Sequence, residues 1–297
     1  MMTLRAAPAR ETLAQPGFEI RPSTPFRRRF ARNRLAVIGA AILIALILMA
    51  VVGPFLTSDP TQQDVRSRLQ GPSWSHPLGT DELGRDILAR VVSGARVSLT
   101  AGLVSVMIGL TLGTLLGVIA GYVEGRVGLT IMAFVDLLLA LPAILLAISI
   151  AARLGLGLTS AMLAAGFVGL PSYARLARGS TLSIKRRDYI EAARAIGMSD
   201  ARVMARHILP NILTPLIVQA TIGVGNAILL VSAIGYLGLG AQPPTPEWGR
   251  MLSDAQRYIT DAPHLGIFPG IAIALTVIGF NIAGDGLRDA LDPAGRR

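Results

Sequence analysis

The chain reads as long unbroken apolar blocks separated by short polar segments, without the strict alternation of a half-buried strand. Six blocks reach or exceed the ~20 residues a helix needs to cross a bilayer. They are residues 35–56, 98–122, 129–151, 154–173, 212–234 and 265–284. The first two carry no charged side chain, and the third carries one, Asp136. The pattern predicts an all-α polytopic membrane protein with six transmembrane helices. The first block is longer than a signal-peptide core of about 7–15 residues and 34 residues precede it, so it reads as a retained anchor.

The polar segments between the blocks divide the chain. Residues 1–34 form an Arg-rich tail, 35–56 the first helix, and 57–97 a long loop. Residues 98–285 form a five-helix core interrupted by a polar loop at 175–211, and 286–297 form a tail. Within 57–97, the spacing of Leu83, Ile87, Leu88 and Val91 predicts an amphipathic helix, either packed at the membrane interface or in contact with a ligand. Arginines crowd into 1–34 and 175–211. The positive-inside rule therefore puts both segments, and both termini, on the cytoplasmic side of a bacterial inner membrane.

Composition agrees. The chain is 52% hydrophobic and 15% charged, against about 25% charged for soluble domains, and its mean hydropathy is +0.56. The net charge of +10 follows the loops, which points to a lipid bilayer and excludes a nucleic-acid partner. Cysteine is absent, which rules out disulfides, a thiolate nucleophile and a Cys-ligated metal. His76, His207 and His264 lie far apart in sequence, a poor start for a metal site.

Three features inside the blocks carry structural or functional meaning. Ala101, Ser105, Gly109, Gly113, Gly117 and Gly121 recur every fourth residue, a stripe that lets two membrane helices approach closely. Pro142, Pro171 and Pro269 fall inside blocks, as hinges or as static bends. Asp136 is the ionisable residue well inside a block, and is either a transport group or a structural hydrogen bond.

The loop at 175–211 predicts two short helices. Asp188 with Glu191 fits an aspartate capping box, and Ala192, Ala193, Ala195 and Ile196 form a small apolar face. Gly197 suits a left-handed helix end. Ser199 or Asp200 caps a second helix that runs to Leu209 and stops at Pro210.

Glu191-Ala192-Ala193, then Gly197, then Ile208-Leu209-Pro210 resembles the EAA loop of ABC importer permeases. His76 to Asp81, Leu83 to Asp86, Leu237 to Pro244, Pro246 to Gly249 and Gly284 to Pro293 are similar to segments of the dipeptide, oligopeptide and nickel permeases, in their C-type subunit. The resemblance runs from about Arg27 to Pro293, and residues 1–26 look like a disordered tail. It implies a type I importer permease fold, with the EAA loop as the helix that sits in a cleft of an ATPase. It also implies four kinds of partner: a homologous second permease, two ABC ATPase subunits, an extracytoplasmic substrate-binding protein and the bilayer.

The single lysine, Lys185, lies in Ser183-Ile184-Lys185-Arg186, which is no P-loop. No cofactor is therefore expected in this chain, and ATP with magnesium belongs to the partner subunits. The chain is not expected to be an enzyme, since no nucleophile–base pair or acidic cluster stands out. An ion-coupled secondary carrier is the rival reading, with Asp136 as its one candidate group. The family serves dipeptides, oligopeptides, glutathione and nickel complexes, and short peptides are the substrate class expected here.

Overall fold

The computed structural model describes Phe30 and residues 33–291. The Arg-rich stretch before Asn33, the tail at 1–26 and the final Asp292-Pro293 of the last motif lie outside the described residues. Among the described residues 33–291, ten α-helices follow in chain order: α1 (Arg34–Val52), α2 (Ile87–Val123), α3 (Gly125–Ala140), α4 (Ala143–Leu154), α5 (Leu158–Lys185), α6 (Asp188–Ala195), α7 (Asp200–Val203), α8 (Leu209–Tyr236), α9 (Trp248–Ala255) and α10 (His264–Leu291).

Helix α1 starts where the Asn33 carboxamide accepts the amides of Leu35 and Ala36 at 3.1 and 3.2 Å, which satisfies two of the orphan donors of the first turn. It tightens into a 3-10 turn over Gly53–Phe55. Its small residues lie along α10, where a side chain on Gly39 would meet the Ala283 amide at 2.8 Å and one on Gly279 would meet Ile42 at 3.0 Å. Asn33 also donates to Asp289 at 3.2 Å, joining the start of α1 to the end of α10.

Six independent apolar spans is not the arrangement found. Four helices are long and apolar enough to cross a membrane, among the described residues: Arg34–Phe55, Ile87–Val123, Asp200–Tyr236 and His264–Leu291. The block expected as one span at 129–151, with a hinge or static bend at Pro142, is the pair α3 and α4, bent by 97°. The break falls at Leu141-Pro142, because proline has no amide to continue the ladder and pushes the preceding residue into extended geometry. Pro171, Pro215 and Pro269 sit inside continuous helices. Helix α5 has the length, but it is built of small and polar residues, since much of its surface faces other helices and not lipid.

The register between α2 and α5 shows what the bent pair does. The backbone at Gly109, Gly113, Gly117 and Gly121 lies over the carbonyls of Gly166, Leu170, Ala174 and Arg178. Both series ascend in steps of four, so the two helices run parallel. The chain must therefore return between them, and α3–α4 is that return. Helices α2 and α5 form the most extensive interhelical contact among the described residues. A Cβ on Gly113 would sit 2.5 Å from the Leu170 oxygen, so the two backbones touch directly.

Helix α2 is 37 residues long, about 55 Å at 1.5 Å per residue, well beyond the ~30 Å bilayer core. The separate amphipathic helix expected before it is instead its first turns: Ile87 and Val91 are buried there, while Leu83 precedes the helix and is exposed. Beyond the membrane, α9 is seated on this extension. The Trp248 indole donates to the Val91 carbonyl at 3.0 Å within a core of Ile87, Ala95, Met251 and Leu265.

Glu247 caps α9 from inside the protein. It accepts the amides of Gly249 and Arg250, both at 2.8 Å, and the hydroxyls of Ser98 and Ser232 at 3.5 and 3.4 Å. Its side chain is fully buried, and burial pushes its pKa above the usual carboxylate value, against the pull of those four donors. Glu247→Ala removes the cap and strands buried donors, at an expected cost of about 3 kcal/mol. A lower thermal unfolding midpoint of the purified protein checks this.

Candidate functional site: a capped surface helix and a half-open cavity

At the Tyr122 end of the bundle, α5 continues to Lys185, so the polar loop is shorter than its charge pattern suggests. Helix α6 follows. Its N-cap position is Arg187, with no side-chain cap bond; Asp188 and Glu191 both lie in the first turn. The expected capping box is therefore absent, and the two carboxylates instead complement the helix dipole. The C-terminus is fully capped. Gly197, at φ +82°, donates to the Arg194 carbonyl at 2.9 Å, and Met198 to that of Ala193 at 3.1 Å. That pair of bonds is a Schellman motif, which requires a left-handed residue at Gly197.

The faces of α6 differ from the sequence reading. Ala193 turns inward beside Ile190, and both are buried. Glu191, Ala192, Ala195 and Ile196 face outward. Ile196 is 80% exposed, an isoleucine held on the rim by the turn at Gly197. Of the seven loop residues singled out, the structure thus gathers Glu191, Ala192 and Gly197 on one outer surface. It buries Ala193 and Ile208 in the core beneath.

The second helix does not stop at Pro210. Helix α7 begins after Ser199, which makes no side-chain cap bond, and passes through a π turn, Met204–Ile208, into α8. The Leu209 amide reaches back to the Met204 carbonyl, and the Asn211 carboxamide donates to the His207 carbonyl at 2.6 Å. The wider turn makes room for the proline ring, so the chain stays helical through Pro210. Leu209 is 38% exposed.

Deeper in the bundle lies a cavity of about 460 Å³ between α2, α4, α5 and α8, within the range of small-molecule sites. Its polar lining is neutral: Ser105, Ser172, Tyr173, Gln219 and Asn226. Gln219 and Asn226 are seven residues apart and share one face of α8. They were legible as two amides inside the apolar block 212–234, a signal that a search for ionisable groups passes over. Gly223 admits the Tyr173 hydroxyl against α8. Asn226 and Leu229 are exposed, so the cavity opens on the surface of the chain.

Asp136, on α3, pairs with Arg175 of α5 at 2.7 Å, both side chains being 55% exposed. The carboxylate therefore has a cationic partner. Gly109, Gly113 and Gly117 lie against α5. At the Trp248 end, Asp81 holds Arg85 at 2.6 Å and Arg90 at 3.4 Å. Burial, then the Asp81 charge, pushes the neighbouring Glu82 carboxyl above its usual value.

Comparisons with known proteins match this architecture. Residues 113–297 match the family model for the binding-protein-dependent transport system inner membrane component. Residues 24–72 match the N-terminal TM domain of oligopeptide transport permease C. The dipeptide transport system permease protein DppC of Alkalihalophilus pseudofirmus is 48% identical over 274 residues, covering 91% of this chain and 90% of that one. The glutathione transport system permease protein GsiD of Salmonella typhimurium is also 48% identical, covering 92% and 90%. A chain of the inward-facing MetNI methionine ABC transporter superposes with a TM-score of 0.58 at 21% identity, over 69% of this chain and 98% of that chain, and so shares the fold. With nearly half its residues identical to such permeases along nine-tenths of its length, the chain belongs to the binding-protein-dependent transport system inner membrane component family and is a permease subunit of an ABC importer.

Proposed function

We propose that this chain forms half of a translocation pathway for short peptides and takes its driving motion from a separate ATPase docked on α6. The observation that carries the docking is Ile196, a large apolar side chain held out beside Ala192 and Ala195 on a rigidly capped helix. An exposed apolar group on a small-residue helix suits a groove in another protein. The half-open cavity supports a second, homologous permease as its missing wall. An external binding protein delivers substrate at the Trp248 end, and two ATPases bind ATP and magnesium at the other.

In this reading the Arg-rich Tyr122 end faces the cytoplasm, with both termini, and the protein is a multi-pass component of the inner membrane. The chain makes and breaks no bond. ATP binding closes the ATPases and shifts the bundle between inward-facing and outward-facing states through differential affinity. A short-peptide substrate fits the names of the dipeptide and glutathione relatives, and it fits a lining that offers amides and hydroxyls to a peptide backbone.

The absence of cysteine makes the test direct. In intact cells, Ile196→Cys is expected to resist a membrane-impermeant maleimide, to react in inverted vesicles, and to cross-link to the ATPase in the assembled importer. Reaction from the outside of intact cells overturns the orientation. Uptake that persists without ATP under a proton gradient overturns the energy source. Labelled dipeptide and glutathione, tested in turn, identify the substrate.

A further inference from the structure

We infer that Tyr122, at the corner between α2 and α3, clasps all three parts of the coupling loop and passes its displacement into the bundle. The inference rests on the reading of α6 as the ATPase-docking helix.

Tyr122 is the last buried residue of α2. Its hydroxyl donates to the Asp200 carboxylate of α7 at 2.5 Å and accepts from the Arg194 guanidinium of α6 at 3.3 Å. Its carbonyl accepts the Lys185 ammonium from the end of α5 at 2.7 Å. The same two cations lie over its ring, Lys185 at 5.5 Å and Arg194 at 5.0 Å from the centre, within the range of cation–π attraction. One residue, through its side chain and its carbonyl, therefore holds the segment before α6, the end of α6 and the start of α7. Ile196 and Gly197 lie between the last two.

The corner itself is strained. Glu124 adopts φ +54°, ψ −152°, a region that L-residues enter at a cost, and such strain persists where surrounding contacts impose it. The Glu124 carboxylate pairs with Lys185 at 2.6 Å. The lysine's bond and charge hold the Glu124 pKa below the usual value. Lys185 thus ties the loop to both sides of the corner.

Beyond the corner, α3 is a rod of 16 residues, about 24 Å long, that ends at the Pro142 break. Ala143 and Ile144, just past the break, line the cavity. A displacement of α6 reaches α2 through Tyr122 and reaches the cavity wall through Glu124, α3 and the break. Tyr122 acts through other groups and is a positioning residue.

The test uses the complete importer reconstituted in liposomes and measures substrate molecules taken up per ATP hydrolysed. Tyr122→Phe keeps the ring and its cations but loses the hydroxyl's bonds to two charged groups. It is expected to fold and to hydrolyse ATP, with roughly tenfold fewer substrate molecules moved per ATP. Asp200→Ala is expected to lower the ratio too, and the double variant to be no worse than Tyr122→Phe alone, because the bond that Asp200→Ala removes is already lost in Tyr122→Phe. A purely structural role predicts less complex with an unchanged ratio per complex, and that result overturns the clasp. Wild-type coupling in Tyr122→Phe also overturns it. In each case, cross-linking of Ile196→Cys to the ATPase leaves the docking reading standing. Its absence in an otherwise native importer removes the docking reading itself.

Discussion

Gly117→Ala is expected to destabilise the folded protein by about 3 kcal/mol, and Gly117→Leu to abolish folding. A Cβ at Gly117 would collide with the Ala174 carbonyl oxygen and sit 2.7 Å from the Ala177 methyl. Both obstacles belong to α5, and one is backbone, which no rotamer change can move. Overpacking a tight contact costs about 1–3 kcal/mol, occasionally more, and here the added methyl must drive two helices apart along their whole register. Gly113 and Gly109 would separate from the Leu170 and Gly166 carbonyls in the same movement. The effect is read as the folded fraction against increasing denaturing detergent. Gly179→Ala is the control, with nothing within 4 Å of its added carbon. Equal behaviour of the two variants would show that the close approach of α2 and α5 does not hold the bundle together.

Gly197→Val is expected to leave membrane insertion and ATP hydrolysis intact and to reduce transport roughly 5–30-fold, the factor that one or two kcal/mol represents. The cause is conformational. Space around Gly197 is open, so valine meets no neighbour, but at φ +82° an L-residue pays about 1–2 kcal/mol. Relief of that strain unwinds the Schellman turn and shifts Ile196 on the docking face. Gly197→Asn separates strain from bulk, because asparagine is the usual second choice at this position. Its transport is expected to stay near the original. Normal transport by Gly197→Val would remove the docking role from this loop. Reading uptake and ATP hydrolysis on the same liposomes keeps the coupling effect distinct from lost protein.

The membrane class and the family were legible because they rest on one-dimensional signals. Block length and the absence of charge mark spans whatever they pack against. The stripe at Gly109, Gly113 and Gly117 marks a surface needing a close neighbour without saying which one. The loop motif is a run of local residues, and the turn at Gly197 forms from bonds within five positions. Its local signals also misled in three places. Arg187, and not Asp188, occupies the N-cap position. Ala193 faces inward. Pro210 continues a helix through a π turn. Each depends on how the loop leans on the bundle, which propensity and spacing do not contain.

By itself, the sequence determined that the chain lies in a bilayer, that a capped small-residue helix interrupts its spans, and which family it joins. Hydrophobic length, arginine placement and left-handed glycine are properties of neighbouring residues. The tertiary structure alone decided that α2 and α5 run parallel with their backbones in contact, and that the bend the sequence marks at Pro142 reaches 97° as α3–α4 returns the chain between them. It also decided that Gln219 and Asn226 share a cavity with Tyr173, and that Tyr122 meets Lys185, Arg194 and Asp200. Those arrangements join residues up to 78 positions apart. Only the packing of whole helices, with small residues permitting contact and buried polar groups requiring partners, brings them together.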